Sequence, residues 1–143
     1  IGDNQTTTLS DKQMPGQDNQ SQPSPTAGNV EENEDEALVW EQIKSEARQD
    51  AESEPALASY LYSTVLSHSS LARSLSFHLG NKLCSSTLLS TLLYDLFLNT
   101  FSSDPSTLSA AVADLRAARY RDPACISFSH CLLNYKGFLA IQV

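Results

Sequence analysis

The sequence predicts an all-α protein, a bundle of about six helices behind a disordered acidic N-terminal tail. Apolar residues recur three and four positions apart through most of residues 37–143, which is the spacing of one helix face. Ser, Asp or Pro precedes several of these apolar segments, as is common where helices begin. The sequence contains no alternating strand pattern, internal repeat or glycine-rich phosphate loop. A chain of 143 residues is long enough for one domain with its own core.

The N-terminal segment differs in composition from the rest of the chain, and we interpret residues 1–36 as the tail and residues 37–143 as the helical domain. Residues 1–30 are mainly Gln, Asn, Ser, Thr, Gly and Pro, and they bury too little apolar surface to offset the entropy of ordering them. Eight acidic residues and one basic residue give residues 1–36 a net charge of −7, against −1 for the rest of the chain.

This charge distribution excludes some classes of partner. A nearly neutral helical domain has no basic stripe that could displace counterions from phosphates, so we expect no nucleic-acid partner. No apolar run approaches the roughly 18 residues of a membrane-spanning helix, so we expect no membrane partner. The acidic N-terminal segment is unlike an Arg-rich transit peptide, which favours a cytoplasmic location and leaves plastid or mitochondrion open.

Three helices are predicted in the first half of the domain. The acidic run at residues 31–36 marks the N-terminus of the first, the second begins at Pro55, and the third is capped by Ser69 and Ser70. Their inward faces consist of apolar side chains and one threonine at helical spacing: Val39, Trp40, Ile43, Ala47, Leu57, Tyr60, Leu61, Thr64, Val65, Leu71, Leu75, Leu79 and Leu83.

Three more helices are predicted in the second half. The fourth is capped by Ser85 and Ser86 and is apolar on nearly every side, so we expect it at the centre of the domain or buried against another subunit. The fifth begins with Asp104 as N-cap and a proline at the first helical position. The sixth begins near Ser129 and is still running at the last residue, so we expect more chain to follow.

Asp122 is the candidate binding residue. It is the one acidic side chain in the last 29 residues, and it precedes a proline that fixes the bend. Four basic residues, Arg116, Arg119, Arg121 and Lys136, occur in the same stretch. From these residues alone, Asp122 is either a turn initiator or a carboxylate that contacts a ligand.

Three cysteines in apolar helical patterns favour buried free thiols in a reducing compartment, with disulfides as the alternative. Cys125, His130 and Cys131, with His78 or Cys84 as a fourth ligand, could form a zinc site. No Cys-x-x-Cys pair supports that site and its surroundings are apolar, so we predict no metal ligand. The histidines on helices, His78 among them, are interpreted as structural.

Several motifs together resemble the N-terminal helical domain of serine O-acetyltransferase. These are residues 40–48 (WEQIKSEAR), 54–60 (EPALASY), 79–83 (LGNKL), 115–124 (LRAARYRDPA) and 135–138 (YKGF). Residues 61–70 (LYSTVLSHSS) and 88–97 (LLSTLLYDLF) are similar to the plant members in particular. The resemblance covers residues 38–142 almost continuously.

The resemblance implies an enzyme of cysteine biosynthesis that transfers the acetyl group of acetyl-CoA to the hydroxyl of L-serine. It implies dimers of trimers joined through the helical domains, and a left-handed β-helix that carries the catalytic His and Asp. Docking to O-acetylserine sulfhydrylase through a C-terminal tail is also implied. The β-helix and that tail are not in this sequence, so we expect no catalytic residue and no acetyl-CoA site in it.

One site residue is implied within this sequence. The family's Arg-Asp-Pro-Ala motif is present as residues 121–124, and its aspartate binds substrate, so the resemblance assigns Asp122 to the ammonium group of serine and of the feedback inhibitor cysteine. We interpret Arg116, Arg119 and Arg121 as helix-dipole and salt-bridge partners, with acetyl-CoA phosphate ligands as the other interpretation.

Two functions follow as hypotheses. In the first, the chain is part of a serine O-acetyltransferase, and the 143 residues alone are inactive because they contain no general base. In the second, the chain is a naturally short, non-catalytic oligomerisation module that associates with full-length subunits.

Overall fold

A computed structural model of the chain describes residue 16 and residues 27–143, and none of these residues forms a β-strand. This confirms the all-α prediction, with seven α-helices in place of about six. A 3-10 turn, Pro55–Leu57, precedes the second helix, and a π-helical segment, Tyr62–Leu66, follows it. The helices are α1 Ala27–Ser53, α2 Ala58–Leu61, α3 Leu71–Leu83, α4 Ser90–Ser103, α5 Pro105–Arg121, α6 Phe128–Asn134 and α7 Lys136–Ile141.

Helix α1 begins at Ala27, earlier than the boundary predicted between residues 36 and 37. Side chains in its acidic first half form hydrogen bonds with α5, and these bonds hold the first turns of α1 against the domain. Nη2 of Arg116 donates to Oδ1 of Asp35 at 2.9 Å, and the Ser109 hydroxyl donates to Oε2 of Glu32 at 3.2 Å. Of the remaining residues of the predicted tail, all except Gly16 lie outside the described residues.

One hydrophobic core joins the helices. Helix α1 buries the stripe predicted from its sequence, and α5 and α6 pack against α1. Helix α3 buries its apolar face in the same core. The core consists mainly of aliphatic side chains, with four aromatic side chains and two thiols among its other members: Val39, Trp40, Ile43, Ala47, Leu61, Val65, Leu71, Leu75, Leu79, Phe101, Leu108, Ala111, Val112, Leu115, Cys125, Phe128, Cys131, Leu132, Leu133 and Phe138.

The predicted N-caps of the third and fifth helices are confirmed, and the predicted caps of the fourth helix are wrong. Ser70 accepts a hydrogen bond from the Arg73 amide as N-cap of α3, and Asp104 accepts one from the Ser106 amide as N-cap of α5. Helix α4 does not begin after Ser85 and Ser86. The hydroxyl of Ser85 accepts from the Leu88 amide at 3.0 Å, which closes a separate turn, and the helix begins at Ser90.

The second predicted helix is short and irregular. Its α-helical part is limited to Ala58–Leu61 and continues into the π-helical segment. The last carbonyl groups of a helix have no amide donor within the helix. Near the end of the π-helical segment, the Thr64 carbonyl accepts instead from the buried Ser74 hydroxyl at 2.7 Å. The irregular segment is therefore tied to α3 by a buried hydrogen bond.

The prediction of one continuous sixth helix is wrong. Helix α6 ends at Asn134 and α7 begins at Lys136, because Tyr135 adopts an extended ψ of 100° between them. Helix α7 in turn ends at Ile141.

Helix α4 is not the centre of the domain, so that part of its prediction is wrong. Within α4 only Leu93 and Phe101 are buried, whereas Leu92 and Leu96 are 59% and 60% exposed. The α4 surface, defined here as Leu88, Leu89, Leu92 and Leu96, therefore lies uncovered on a single copy of the chain.

Among residues 27–143, no helix combines the length and the apolar character that crossing a bilayer requires.

Candidate functional site

Asp122 occupies the bend that follows α5. Its amide donates to the Ala118 carbonyl at 3.1 Å and closes the last turn of the helix. Its own carbonyl accepts from the Cys125 amide at 3.0 Å, which closes the turn after the helix. The next residue, Pro123, has a fixed φ and cannot continue the hydrogen-bonding pattern of α5. The backbone of Asp122 is therefore held on both sides.

The carboxylate of Asp122 is held as firmly as its backbone. Oδ1 accepts from the Ala124 amide at 2.9 Å, and Oδ2 accepts from the phenolic hydroxyl of Tyr135, thirteen residues later. The hydrogen bond from Tyr135, followed by that from Ala124, lowers the pKa of Asp122 below its ordinary value. Asp122 is therefore a fixed, ionised carboxylate near neutral pH.

No cation neutralises this carboxylate within the part of the chain that the structure describes. The ion pairs there join Lys44 to Glu41 and Arg116 to Asp35. A carboxylate offers about four lone-pair sites, and the two hydrogen bonds to Asp122 leave room for further donors. Because the side chain is only partly buried, a ligand in solvent can reach it.

Tyr135 is the site residue that sequence reasoning missed. It belongs to a motif quoted above, but nothing in the local sequence relates it to a carboxylate thirteen residues away. Its amide donates to the Cys131 carbonyl at 3.2 Å, and its carbonyl accepts from the Leu139 amide at 3.0 Å. The hydrogen bond to Asp122 raises the pKa of Tyr135 to about 12, so the phenol remains a donor at neutral pH.

The arginines near Asp122 have structural contacts. Arg116 pairs with Asp35 on α1, and Nη1 of Arg119 donates to the Cys125 carbonyl at 3.1 Å. Arg121 is exposed at the end of α5. For Arg116 and Arg119 the structure agrees with the predicted role as partners of nearby protein groups.

Two thiols lie beside the bend. Cys125 and Cys131 are buried as predicted, whereas Cys84 is exposed, which the prediction had wrong. Burial, and secondarily the neighbouring Cys125, raise the pKa of Cys131 to about 12, which leaves it a poor nucleophile.

The residues considered for zinc do not converge. His78 is buried and donates through Nε2 to the Leu133 carbonyl at 3.1 Å, and burial lowers its pKa. Across residues 27–143, no three His, Cys, Asp or Glu side chains are arranged to hold a metal ion.

A separate cavity of about 630 Å³ lies between α1, the 3-10 turn, α2 and α6, and Asp122 is not among its lining residues. Its wall includes Glu46, whose Oε2 accepts from the Ser129 amide at 2.9 Å and so caps the start of α6. His130, also in this wall, packs its ring against Tyr135 with centroids 5.8 Å apart. His130 therefore connects the wall of the cavity to Tyr135, the residue that bonds Asp122.

Residues 39–143 match the family model described as "Serine acetyltransferase, N-terminal". Serine acetyltransferase 5 of Arabidopsis thaliana is 87% identical over 106 residues, which cover 74% of this chain and 34% of that protein. Probable serine acetyltransferase 1 of Oryza sativa subsp. japonica is 71% identical over 112 residues, covering 78% and 37%.

Solved structures are similar as well. Soybean serine acetyltransferase complexed with serine matches with a TM-score of 0.73 and 86% identity, over 76% of this chain and 44% of that one. A serine acetyltransferase in complex with cysteine matches with a TM-score of 0.72 and 42% identity, over 74% and 44%. The chain spans about a third of the length of the curated relatives that it matches. It belongs to the serine acetyltransferase family, with residues 39–143 matching the family's N-terminal domain.

Proposed function

We propose that the protein to which this chain belongs transfers the acetyl group of acetyl-CoA to the hydroxyl of L-serine, and that Asp122 binds the ammonium group of the serine. The observation that carries the second part is the state of the carboxylate. Asp122 is ionised, held by two hydrogen bonds and free of any ion pair in the described residues. Relatives solved with serine and with cysteine support an amino acid as the ligand.

A carboxylate is well suited to recognise the ammonium group of an amino acid. The ammonium has three N–H donors, and a charge-assisted hydrogen bond to a carboxylate is stronger than one between neutral groups. Serine and cysteine share the ammonium group and differ only at the side-chain atom. Contact with Asp122 therefore binds both and does not distinguish substrate from inhibitor.

The chemistry assigned to this chain is binding and orientation. The serine hydroxyl must lose its proton as its oxygen attacks the acetyl carbonyl, and a weak nucleophile of this kind needs a positioned base. We place that base outside residues 1–143, so the chain by itself forms no O-acetylserine. Measurable O-acetylserine formation by the isolated chain would contradict this assignment.

The direct test is Asp122→Asn in the full-length enzyme. Asn keeps the size of the side chain and removes its charge, so the KM for serine should rise by at least about tenfold. The KM for acetyl-CoA should stay constant. Asp104→Asn is the control, because Asp104 caps the other end of α5 and Asn caps a helix equally well. A serine KM unchanged by Asp122→Asn leaves Asp122 as a turn residue only.

The α4 surface favours a second role for the same domain, self-association. Four leucines close together in the sequence are exposed there, and exposed apolar surface of this kind is typical of an interaction site. We infer that a further copy of the domain covers these leucines, as expected from the family's assembly into dimers of trimers. A non-catalytic oligomerisation module remains the alternative function, and it would use the same surface.

A further inference from the structure

We propose that Tyr135 is a positioning residue, which holds the carboxylate of Asp122 in the orientation that receives the substrate ammonium group. This inference rests on the proposed role of Asp122 in serine binding. Tyr135 acts through Asp122 and need not touch the substrate itself.

The geometry at the carboxylate supports this role. The amide of Ala124 holds Oδ1 from within the turn, and the hydroxyl of Tyr135 holds Oδ2 from the break between α6 and α7. One donor alone would leave the carboxylate free to turn about its last side-chain bond. Two donors from different segments fix the plane of the carboxylate and the directions of its remaining lone pairs.

Tyr135 is itself fixed by its surroundings. Its amide and carbonyl each bond to one of the two helices that it separates, and its ring packs edge-to-face against His130. Helix α6, which precedes it, is anchored to α1 through Glu46 and to α3 through His78. The position of the phenolic hydroxyl is thus set by the packing of α6 on the core, and the hydrogen bond from that hydroxyl sets the position of the Asp122 carboxylate.

The chemistry of a phenol suits this task. A tyrosine hydroxyl donates a hydrogen bond without carrying a positive charge, so it orients the carboxylate and leaves its charge available to a ligand. A lysine or arginine in the same place would form an ion pair and compete with the substrate ammonium group. The hydrogen bond also lowers the pKa of Asp122, which favours the ionised form that an ammonium group requires.

The test is a double-mutant cycle in the full-length enzyme with Asp122→Asn, Tyr135→Phe and both together. Tyr135→Phe retains the ring against His130 and removes only the hydroxyl. We expect it to raise the serine KM and the cysteine inhibition constant in parallel, each by about fivefold. The KM for acetyl-CoA should not change. In the Asp122→Asn background, Tyr135→Phe should add nothing, because the two residues act as one unit.

Tyr120→Phe is the matched control. Tyr120 lies at the end of α5 near the same bend, is 75% exposed and packs its ring against Phe128. It should leave every constant unchanged. Circular dichroism of each variant shows whether the fold is lost or only the orientation of the Asp122 carboxylate. If Tyr135→Phe lowers stability, its effect in the Asp122→Asn background still tests the positioning role.

The outcomes separate the two proposals. If Asp122→Asn raises the serine KM and Tyr135→Phe does not, the positioning role is overturned and serine binding by Asp122 stands. Additive effects in the double variant overturn the positioning role as well, since they show that Tyr135 acts independently. If Asp122→Asn itself has no effect, the proposed binding role of Asp122 fails, and with it the role of Tyr135.

Discussion

Arg116 on α5 donates a hydrogen bond to Asp35 on α1 at 2.9 Å, and the two residues are 81 positions apart in the chain. The pair holds the early turns of α1 against the domain, in a segment whose composition predicts a disordered tail. Both side chains are substantially exposed, so solvent screens the ion pair and its effect is local.

We expect Asp35→Asn to increase amide hydrogen exchange in residues 27–36 and to lower the free energy of unfolding by at most about 1 kcal/mol. The reason is the loss of one half-exposed ion pair with Arg116. Hydrogen exchange read by mass spectrometry measures the local change. Glu34→Gln is the control, because Glu34 is exposed on the same helix. Equal protection in both variants would show that the ion pair does not hold the segment.

Gly80 should tolerate no side chain. A Cβ at this position would lie 2.9 Å from the carbonyl oxygen of Ser90 and 3.3 Å from the amide nitrogen of Tyr94, both on the backbone at the start of α4. The close contacts should cost about 1–3 kcal/mol of stability, and the higher helix propensity of alanine should offset roughly 1 kcal/mol of that cost. The net result of Gly80→Ala should be a destabilisation of up to about 2 kcal/mol. Urea denaturation measures the difference.

Gly137→Ala is the matched comparison for Gly80. Gly137 also lies in a helix, and a Cβ there meets no atom within 4 Å. Alanine should leave stability unchanged or raise it by up to about 1 kcal/mol. An equal gain in stability from both substitutions would mean that helix propensity, and not the close approach of α3 to α4, decides the result at Gly80.

The bond between Tyr135 and Asp122 should contribute stability only in a defined pH window. The pKa of Asp122 is lowered in the folded state, so its contribution is present above the ordinary aspartate pKa and is lost as pH falls through the folded value. The pKa of Tyr135 is raised to about 12, so its contribution is present below about 10 and is lost as pH rises toward 12.

The stability deficit of Tyr135→Phe should therefore be largest between about pH 4 and pH 10 and should shrink in acid. Urea denaturation of the wild type and the variant from pH 3 to pH 8 measures the acid side of this window. Tyr120→Phe should show no pH-dependent deficit. A deficit for Tyr135→Phe that stays constant down to pH 3 would indicate lost packing rather than a lost hydrogen bond to a carboxylate.

The α4 surface should control self-association. Leu92→Gln combined with Leu96→Gln should lower the oligomeric mass of the chain. Burying leucine surface in an interface contributes about 25 cal/mol per Å², and the polar glutamine side chains do not provide that contribution. Light scattering after size-exclusion chromatography measures that mass. Leu38→Gln is the control, since Leu38 is 66% exposed on α1. An unchanged mass in the double variant would place any interface elsewhere.

The three thiols should react at very different rates with a thiol reagent. Cys84 is exposed, whereas Cys125 and Cys131 are buried. Mass spectrometry during alkylation of the native chain should show one fast addition, and two more only in denaturant. Three equally fast additions would contradict the packing of the Asp122 bend against the core.

Local signals in the sequence predicted much of this fold. The caps at Ser70 and Asp104 depend on contacts within a few residues, so they could be identified from the sequence. The buried stripe of α1 follows from helical spacing alone. The fold class follows from the same periodicity, and the family was recognisable from motifs such as residues 121–124.

Other features depend on contacts between distant segments. The early turns of α1 are held by a hydrogen bond from Arg116 on α5 to Asp35. The α4 leucines are exposed because side chains from the other helices fill the core. The break at Tyr135 separates α6 from α7, where helical periodicity alone predicts one continuous helix.

The sequence by itself determined the helical class, most of the core and the identity of Asp122 as the candidate binding residue, because each depends on spacing or on a local motif. The tertiary structure decided what holds that carboxylate. Tyr135 and Asp122 are thirteen positions apart, so their hydrogen bond requires the intervening chain to fold back. The hydrogen bonds that join α6 to Glu46 on α1 and to His78 on α3 hold the chain in that arrangement.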